Sequence, residues 1–146
     1  MVGQRFRLEQ PEITEYDLHV AAADALSKLI CPPAQWCCYP AGHVRLEPYQ
    51  QARLTRVGLK RGWPDLLILH GKIFGIELKK PGGTLSKTRI VRTRRGAPRE
   101  LLGQEDVFPL LLQTGAFGDI RTATSLAELF SHLNDWKVPL RTRVSF

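Results

Sequence analysis

The fold of this chain is decided by residues 63–80, which read WPDLLILHGKIFGIELKK. Two apolar runs flank a short loop at 70–72 that contains glycine, and this pattern indicates a β-hairpin. A three-residue loop at these positions places Asp65 directly opposite Glu77. The stretch therefore predicts two carboxylates that face each other across neighbouring strands.

Asp65, Glu77 and Lys79 form the candidate catalytic group of this hairpin. Because side chains alternate along a strand, Glu77 and Lys79 are expected on one face. Directly opposed side chains lie roughly 5 Å apart, and two carboxylates at that distance raise each other's pKa unless a cation lies between them. Oxygen ligands without His or Cys favour Mg²⁺, with Mn²⁺ as a substitute. The alternative is an ordinary surface ion pair between Glu77 and Lys79.

A family resemblance rests on these same residues. The dipeptide PD at 64–65, followed by ELK at 77–79, resembles the signature of the PD-(D/E)xK nuclease superfamily. The continuation KPGGTLS at 80–86 and the later Gln104 are similar to its virus-type replication-repair nuclease branch, the VRR-NUC domain. The resemblance covers roughly residues 12–140. It implies an α/β fold with an αβββαβ core, in which a mixed central sheet is flanked by helices.

The resemblance also implies roles for single residues. Glu15, in a helix predicted over 12–30, matches a glutamate that reaches the metal site, Lys79 would position water or stabilise charge on phosphorus, and Gln104 would orient a water or a phosphate oxygen. The implied catalytic residues are Glu15, Asp65, Glu77, Lys79 and Gln104, and the implied metal ligands are Glu15, Asp65, Glu77 and the Leu78 carbonyl. Two plainer alternatives stay open. Acids favour the first turn of any helix, which would explain Glu15, and Gln104 would suit the first turn of another.

Basic charge is concentrated in the middle of the chain. The 146 residues include 21 Lys or Arg and 14 Asp or Glu, which gives a formal net charge of +7. Positions 45–99 hold fourteen basic residues and only three acids. Such a surface suits a polyanionic substrate, although a plain basic surface or attraction to acidic lipid would share the pattern. The residues expected to contact nucleic acid are Arg53, Arg56, Lys60, Arg61, Lys80, Lys87, Arg89, Arg92, Arg94 and Arg95.

Residues 86–100 form a basic segment of low hydrophobicity that looks like an insertion relative to the family. We expect an arm that is mobile in the free protein and becomes ordered through phosphate contacts. The alternation of side chains along the segment also allows a β-ribbon laid along a duplex.

The remaining elements follow from local signals. The sequence predicts a strand over 36–39, a short helix over 48–58, a helix over 101–114 that contains Pro109, and a strand over 119–124. Capping boxes formed by Thr14 with Asp17 and by Ser125 with Glu128 open the first and the last helix, and the last helix ends near residue 136. The length predicts one domain over residues 1–146.

These features together predict a metal-dependent DNA endonuclease. We expect branched DNA, with four-way junctions as the leading substrate, a homodimer, and products that carry a 5′-phosphate. The alternatives are a flap or nicking endonuclease, a non-catalytic DNA-binding module of the same fold, and a basic interaction protein with a fortuitous motif. Because no stretch is long and apolar enough to cross a bilayer and the cysteines lack zinc-ligand spacing, we expect a cytoplasmic protein without a membrane partner.

Overall fold

The computed structural model describes residues 13–39, 46–92 and 94–142, so both ends of the predicted 1–146 domain lie outside the described residues. The helices are α1 (Glu15–Leu29), α2 (Pro48–Arg56), α3 (Gln104–Gln113) and α4 (Leu126–Asp135). The strands are β1 (Gln35–Cys38), β2 (Leu66–His70), β3 (Lys72–Leu78), β4 (Arg89–Val91), β5 (Arg99–Leu101) and β6 (Phe117–Ala123).

The central sheet has the strand order β1-β2-β3-β6. Strands β1, β2 and β3 are antiparallel neighbours, whereas β6 is parallel to β3 and is reached through α3. The structure therefore confirms an α/β fold with a mixed sheet. Of the helices in the part of the chain that the structure describes, none combines the length and apolar character needed to cross a bilayer.

The β2–β3 hairpin has the predicted register. Leu69 pairs with Ile73, and the pairing continues to Leu66 opposite Ile76. One further step in the same register brings Asp65, which directly precedes β2, beside Glu77. The carboxylate pair predicted from the sequence thus lies at the end of the hairpin away from its turn.

A glycine in the hairpin makes room for the proline of the PD dipeptide. Pro64 is fully buried, and a Cβ added to Gly75 would lie 2.6 Å from its Cγ. That separation is below any real Cβ contact, so the strand needs glycine opposite the proline ring. The packing fixes the backbone immediately before Asp65.

Helices cover both faces of the sheet. The face towards α1 and α4 carries the main core, and the face towards α3 carries a smaller one. Buried residues of the main core include Leu18, Ala22, Leu26, Leu66, Ile68, Ile76, Leu78, Leu129, Phe130 and Leu133. The smaller core consists of Val107, Leu111 and Phe117, with Trp63, Leu67, Ile73 and Ile120 packed against it. Because β3 alternates, Ile76 and Leu78 point into the main core and Glu77 lies on the α3 side.

Side-chain caps set the ends of two helices as predicted. Thr14 Oγ1 accepts a hydrogen bond from the Asp17 backbone N–H, and the Asp17 carboxylate accepts one from the Thr14 N–H, which completes a capping box. The hydrogen bonds that the Thr14 hydroxyl and the Thr14 N–H donate to the Asp17 carboxylate lower the pKa of Asp17. Ser125 Oγ accepts a hydrogen bond from the Glu128 N–H at 3.1 Å and caps α4, whereas the Glu128 carboxylate accepts from the Thr124 N–H, so the predicted capping box forms only in part. Both caps satisfy backbone groups that a helix end leaves unpaired.

Residues 86–104 depart from the simplest prediction. The ribbon alternative is the one that the structure has, since β4 and β5 pair antiparallel. The helix predicted from residue 101 begins instead at Gln104, because Leu101 belongs to β5 and Gly103 is the N-cap of α3. Pro109 lies within α3, as the sequence predicted. Other boundaries differ from prediction by one to three residues, as helix and strand ends commonly do.

Candidate active site

A cleft of about 510 Å³ opens where β2 begins and β3 ends, beside the N-terminus of α3. It gathers side chains from α1, the hairpin and α3, which are far apart in the sequence. All five residues of the predicted catalytic set line it, namely Glu15, Asp65, Glu77, Lys79 and Gln104. The structure therefore brings the predicted acids, lysine and glutamine into one concave space.

Glu77 is the buried charge at the floor of this cleft. Its exposed fraction is only 3%, and its Oε1 lies 3.0 Å from Nζ of Lys79. Its Oε2 is buried and has no hydrogen-bond partner among the described residues. Burial raises the pKa of Glu77, and the negative charge of Asp65 raises it further. Attraction to Gln104 and Lys79 lowers that pKa and only partly offsets the rise.

Asp65 is held in place by the end of the neighbouring strand. Its Oδ2 accepts a hydrogen bond from the Leu78 backbone N–H at 2.9 Å. The bond ties the residue before β2 to the last residue of β3 and keeps the Asp65 carboxylate next to Glu77. The side chain of Leu78 is 1% exposed and lies in the main core, and the role of its carbonyl as a metal ligand stays a prediction.

Gln104 is positioned by a reciprocal pair of hydrogen bonds with Ser86. The Gln104 N–H donates to Ser86 Oγ at 3.0 Å, and the Ser86 N–H donates to Gln104 Oε1 at 3.2 Å. With its oxygen engaged there, the Gln104 amide nitrogen remains to favour the charged form of Glu77. A Cβ on Gly103 would collide with the backbone of Ser86 and Lys87, so this close crossing requires glycine.

Glu15 reaches the cleft from the first turn of α1. Its Oε1 accepts a hydrogen bond of 3.4 Å from the Lys80 backbone N–H. Residues 13–39, 46–92 and 94–142 contain no group of three or more His, Cys, Asp or Glu side chains arranged to hold a metal ion. Glu15 lines the same cleft as Asp65 and Glu77, and its role as a third metal ligand stays a prediction.

The chemistry of Asp65 and Glu77 fits a hard divalent cation. Asp65 and Glu77 supply carboxylate oxygens, and the Glu77 Oε2 is buried without a hydrogen-bond donor among the described residues. Lys79 already pairs with Oε1, and an ionised carboxylate whose other oxygen is buried without a donor remains costly unless a second cation compensates it. Mg²⁺ is commonly held by one or two protein carboxylates together with water and substrate phosphate. The residues present therefore suffice for Mg²⁺ or Mn²⁺.

The predicted nucleic-acid contacts fall into three groups. Arg61, Lys87 and Arg89 line the cleft, and Arg56, Lys60 and again Arg61 line a neighbouring groove. The others lie elsewhere on the surface, with Arg53 on another side of α2, Lys80 next to Glu15, and Arg92, Arg94 and Arg95 exposed at the end of the β4–β5 ribbon.

Two aromatic residues of the site were missed by the sequence-based prediction. Tyr39 and Trp63 both line the cleft and stack with ring centroids 5.3 Å apart. The Tyr39 hydroxyl accepts a hydrogen bond from the Lys60 N–H at 2.8 Å and donates one to the Lys60 carbonyl at 3.0 Å. It thereby anchors the basic loop before Trp63. The position of Trp63 directly before the PD dipeptide was the available signal.

Comparison with known proteins adds no relative: no family model, curated protein or solved structure matches the chain.

Proposed function

We propose that this protein is a metal-dependent endonuclease that hydrolyses phosphodiester bonds in DNA. The observation that carries the proposal is Glu77, a carboxylate 3% exposed, with one oxygen lacking a hydrogen-bond donor among the described residues and a pKa raised by burial and by Asp65. A carboxylate in a cleft whose pKa is perturbed by burial together with a specific charge partner is a candidate for a functional site. The basic side chains around the cleft suit a phosphate-bearing substrate.

The order of elements supports the same proposal. Helix α1, strands β1 to β3, helix α3 and strand β6 follow the αβββαβ order of the PD-(D/E)xK nucleases, and α2 and the β4–β5 ribbon are additions to it. The PD dipeptide directly precedes β2, and ELK spans the end of β3. We therefore propose that the chain is a VRR-NUC-like member of that superfamily.

The residues of the cleft would have different roles in hydrolysis. Asp65 and Glu77 would hold Mg²⁺ or Mn²⁺, which when bound lowers the pKa of water and neutralises phosphate charge. Lys79 stands beside Glu77 and would stabilise the negative charge that develops on the phosphoryl oxygens. The water oxygen bonds to phosphorus as the bond to O3′ breaks, which leaves a 5′-phosphate and a 3′-hydroxyl.

Side chains around the reacting centre would bind and orient the DNA. Arg61, Lys87 and Arg89 line the cleft and would contact phosphates next to the scissile one. Gln104, locked by Ser86, would orient the water or a phosphate oxygen. We propose branched DNA as the substrate. A homodimer would cut a four-way junction, and the alternative is cleavage at a flap.

The test is cleavage of labelled branched DNA in Mg²⁺ by the wild type and by two carboxylate-to-amide variants. Asp65→Asn and Glu77→Gln should each lower the rate by about 10³-fold or more, since each removes a charge that the cation requires. Asp24→Asn makes the same change on the exposed side of α1, outside the cleft, and should cut like the wild type. Tight DNA binding by the wild type without cutting in Mg²⁺ or Mn²⁺ would favour the non-catalytic binding module instead.

A further inference from the structure

A second concave surface adjoins the cleft. This groove lies between α2, β5 and α3 and encloses about 1150 Å³, which exceeds the roughly 300–1,000 Å³ of sites for drug-sized molecules. Arg61, Trp63, Leu101 and Leu102 line both the groove and the cleft, so the two spaces share a wall. A ligand chain that lies in the cleft can therefore continue into the groove.

The groove combines an apolar floor with a cationic rim. Its apolar lining includes Leu59, Leu101, Leu102, Val107, Leu110 and Leu111. Its charged lining consists of four cations, Arg56, Lys60, Arg61 and Arg99, and one acid, Glu100. The rim attracts a polyanion, whereas the floor offers few partners for polar groups. The occupant should therefore be negatively charged at its edge and apolar on its faces.

Unpaired nucleotides have this combination of properties. Each carries a phosphate charge and a base whose flat face stacks on apolar and aromatic side chains, and Trp63 supplies an aromatic ring in the lining. Bases within a duplex have their faces covered by their neighbours, so a duplex would leave the apolar floor uncovered. A second copy of this chain, with its net charge of +7, would bring like charge to the cationic rim.

We propose that the groove receives the unpaired bases of a DNA strand whose scissile phosphate lies in the cleft. This inference rests on the proposed nuclease function and sharpens it. It selects flapped or splayed DNA over a fully paired four-way junction. The single-stranded segment would begin next to the bond that is cut, because Arg61, Trp63, Leu101 and Leu102 line both spaces and the groove starts where the cleft ends.

Binding measured in EDTA separates this inference from the chemistry of cutting. The probes are a labelled duplex and the same duplex with a single-stranded arm, titrated with the wild type, Leu110→Ser and Leu112→Ser. Both leucines are exposed positions of α3, at 50% and 41%, but only Leu110 lines the groove. We expect the wild type to prefer the armed DNA by about tenfold or more, a factor typical of one stacked base.

The variants decide which surface provides that preference. Leu110→Ser should reduce it to about threefold or less with duplex affinity unchanged, and Leu112→Ser should retain it. If the wild type binds both probes equally but cuts both once Mg²⁺ is added, the inference about the groove is overturned and the proposed nuclease function is retained. If the wild type prefers the armed DNA but cuts neither probe in Mg²⁺, the groove binds unpaired bases as inferred and the proposed nuclease function is overturned. Loss of a dimer in Leu110→Ser, measured by sedimentation with unchanged DNA binding, would assign the groove to a second copy and also overturn the inference.

Discussion

Glu77 on β3 and Asp119 on β6 lie on neighbouring parallel strands, yet their surroundings are opposite. Asp119 Oδ1 accepts a hydrogen bond from the Ile120 N–H at 2.9 Å, and its Oδ2 accepts from Arg121 Nε at 2.7 Å and Trp136 Nε1 at 3.1 Å. Burial alone would raise the pKa of Asp119, but these hydrogen bonds outweigh it and lower that pKa. Glu77 has the opposite balance, and burial together with Asp65 raises its pKa.

The Asp119 cluster is complete without any ligand. Arg121 Nη1 also pairs with Asp135 at 2.7 Å, and its guanidinium lies 5.4 Å from the Trp136 ring centroid. Trp136 in turn stacks on Phe74 with ring centroids 4.8 Å apart. The cluster therefore ties β6 to α4 and to β3.

The difference separates a carboxylate that is fully hydrogen-bonded from one that pairs with Lys79 through Oε1 only and whose buried Oε2 has no hydrogen-bond donor among the described residues. The carboxylate of Asp119 lowers the free energy of the folded state, whereas ionised Glu77 raises it. A protein keeps such a cost where function requires it, and its removal commonly stabilises the fold. Variants at the two clusters should therefore have opposite effects on stability and on activity.

The largest expected effect is on turnover. Lys79→Met should lower the rate of DNA cleavage by about 10²–10³-fold, because it removes the cation that stabilises charge in the transition state. Affinity for DNA should change little, since the basic side chains around the cleft remain. Lys72→Met removes an exposed lysine at the opposite end of the same strand and is the matched control. Equal rates for both variants would exclude Lys79 from catalysis.

A smaller effect is expected on stability at the Asp119 cluster. Asp119→Ala should lower the free energy of unfolding by about 1–2 kcal/mol, since it removes three hydrogen bonds and leaves Arg121 and Trp136 without this acceptor. The value is at the low end because the side chain of Asp119 is 34% exposed and solvent screens its charge. Urea unfolding measures the change, and the cleavage rate at a temperature where the variant stays folded should match that of the wild type. A stability equal to the wild type would show that the cluster is not structural.

The smallest effect has the opposite sign. Glu77→Gln should raise the free energy of unfolding by about 0.5–1 kcal/mol at neutral pH in EDTA, because burial and Asp65 disfavour the Glu77 charge by more than Lys79 and Gln104 favour it. Since the folded-state pKa of Glu77 lies above its ordinary value of 4.5, the folded state binds this proton more tightly than the unfolded state. The stability of the wild type therefore falls as pH rises from 4.5 through the folded pKa. The advantage of Glu77→Gln should appear over that range and vanish below it, and an advantage independent of pH would contradict this origin.

The contribution of Asp119 to stability has the opposite pH dependence. Its folded-state pKa lies below its ordinary value of 3.8, so its contribution is fully present above that value and is lost as pH falls through the folded pKa. Stability differences between the wild type and Asp119→Asn should accordingly shrink in acid. Thermal unfolding of the wild type, Glu77→Gln and Asp119→Asn across a pH series measures how each stability difference changes with pH, and the two differences should change in opposite directions.

Local signals account for the parts of the fold that the sequence predicted well. The glycine turn set the register of the hairpin, and the side chains of Thr14 and Ser125 set the starts of α1 and α4. Each of these depends on residues only a few positions apart. The pairing of Asp65 with Glu77 follows from the hairpin register alone, so it too could be predicted.

Features that depend on distant contacts could not be predicted in the same way. The start of α3 at Gln104 depends on hydrogen bonds with Ser86, eighteen positions earlier, and the anchoring of Lys60 depends on Tyr39. The groove exists because α2, β5 and α3 converge, and no single segment carries its pattern. The sequence also predicted that Glu15, Asp65 and Glu77 share one site, and all three line the cleft, although they lie far apart along the chain.

Direct measurement of cation binding tests the central claim that Asp65 and Glu77 form an incomplete site. Mn²⁺ binding can be followed by electron paramagnetic resonance without DNA in the wild type, Glu77→Gln and Asp119→Asn. We predict that the wild type and Asp119→Asn bind Mn²⁺ equally, that Mg²⁺ displaces it, and that Glu77→Gln does not bind it. Equal binding by all three proteins, or none by the wild type, would contradict the account.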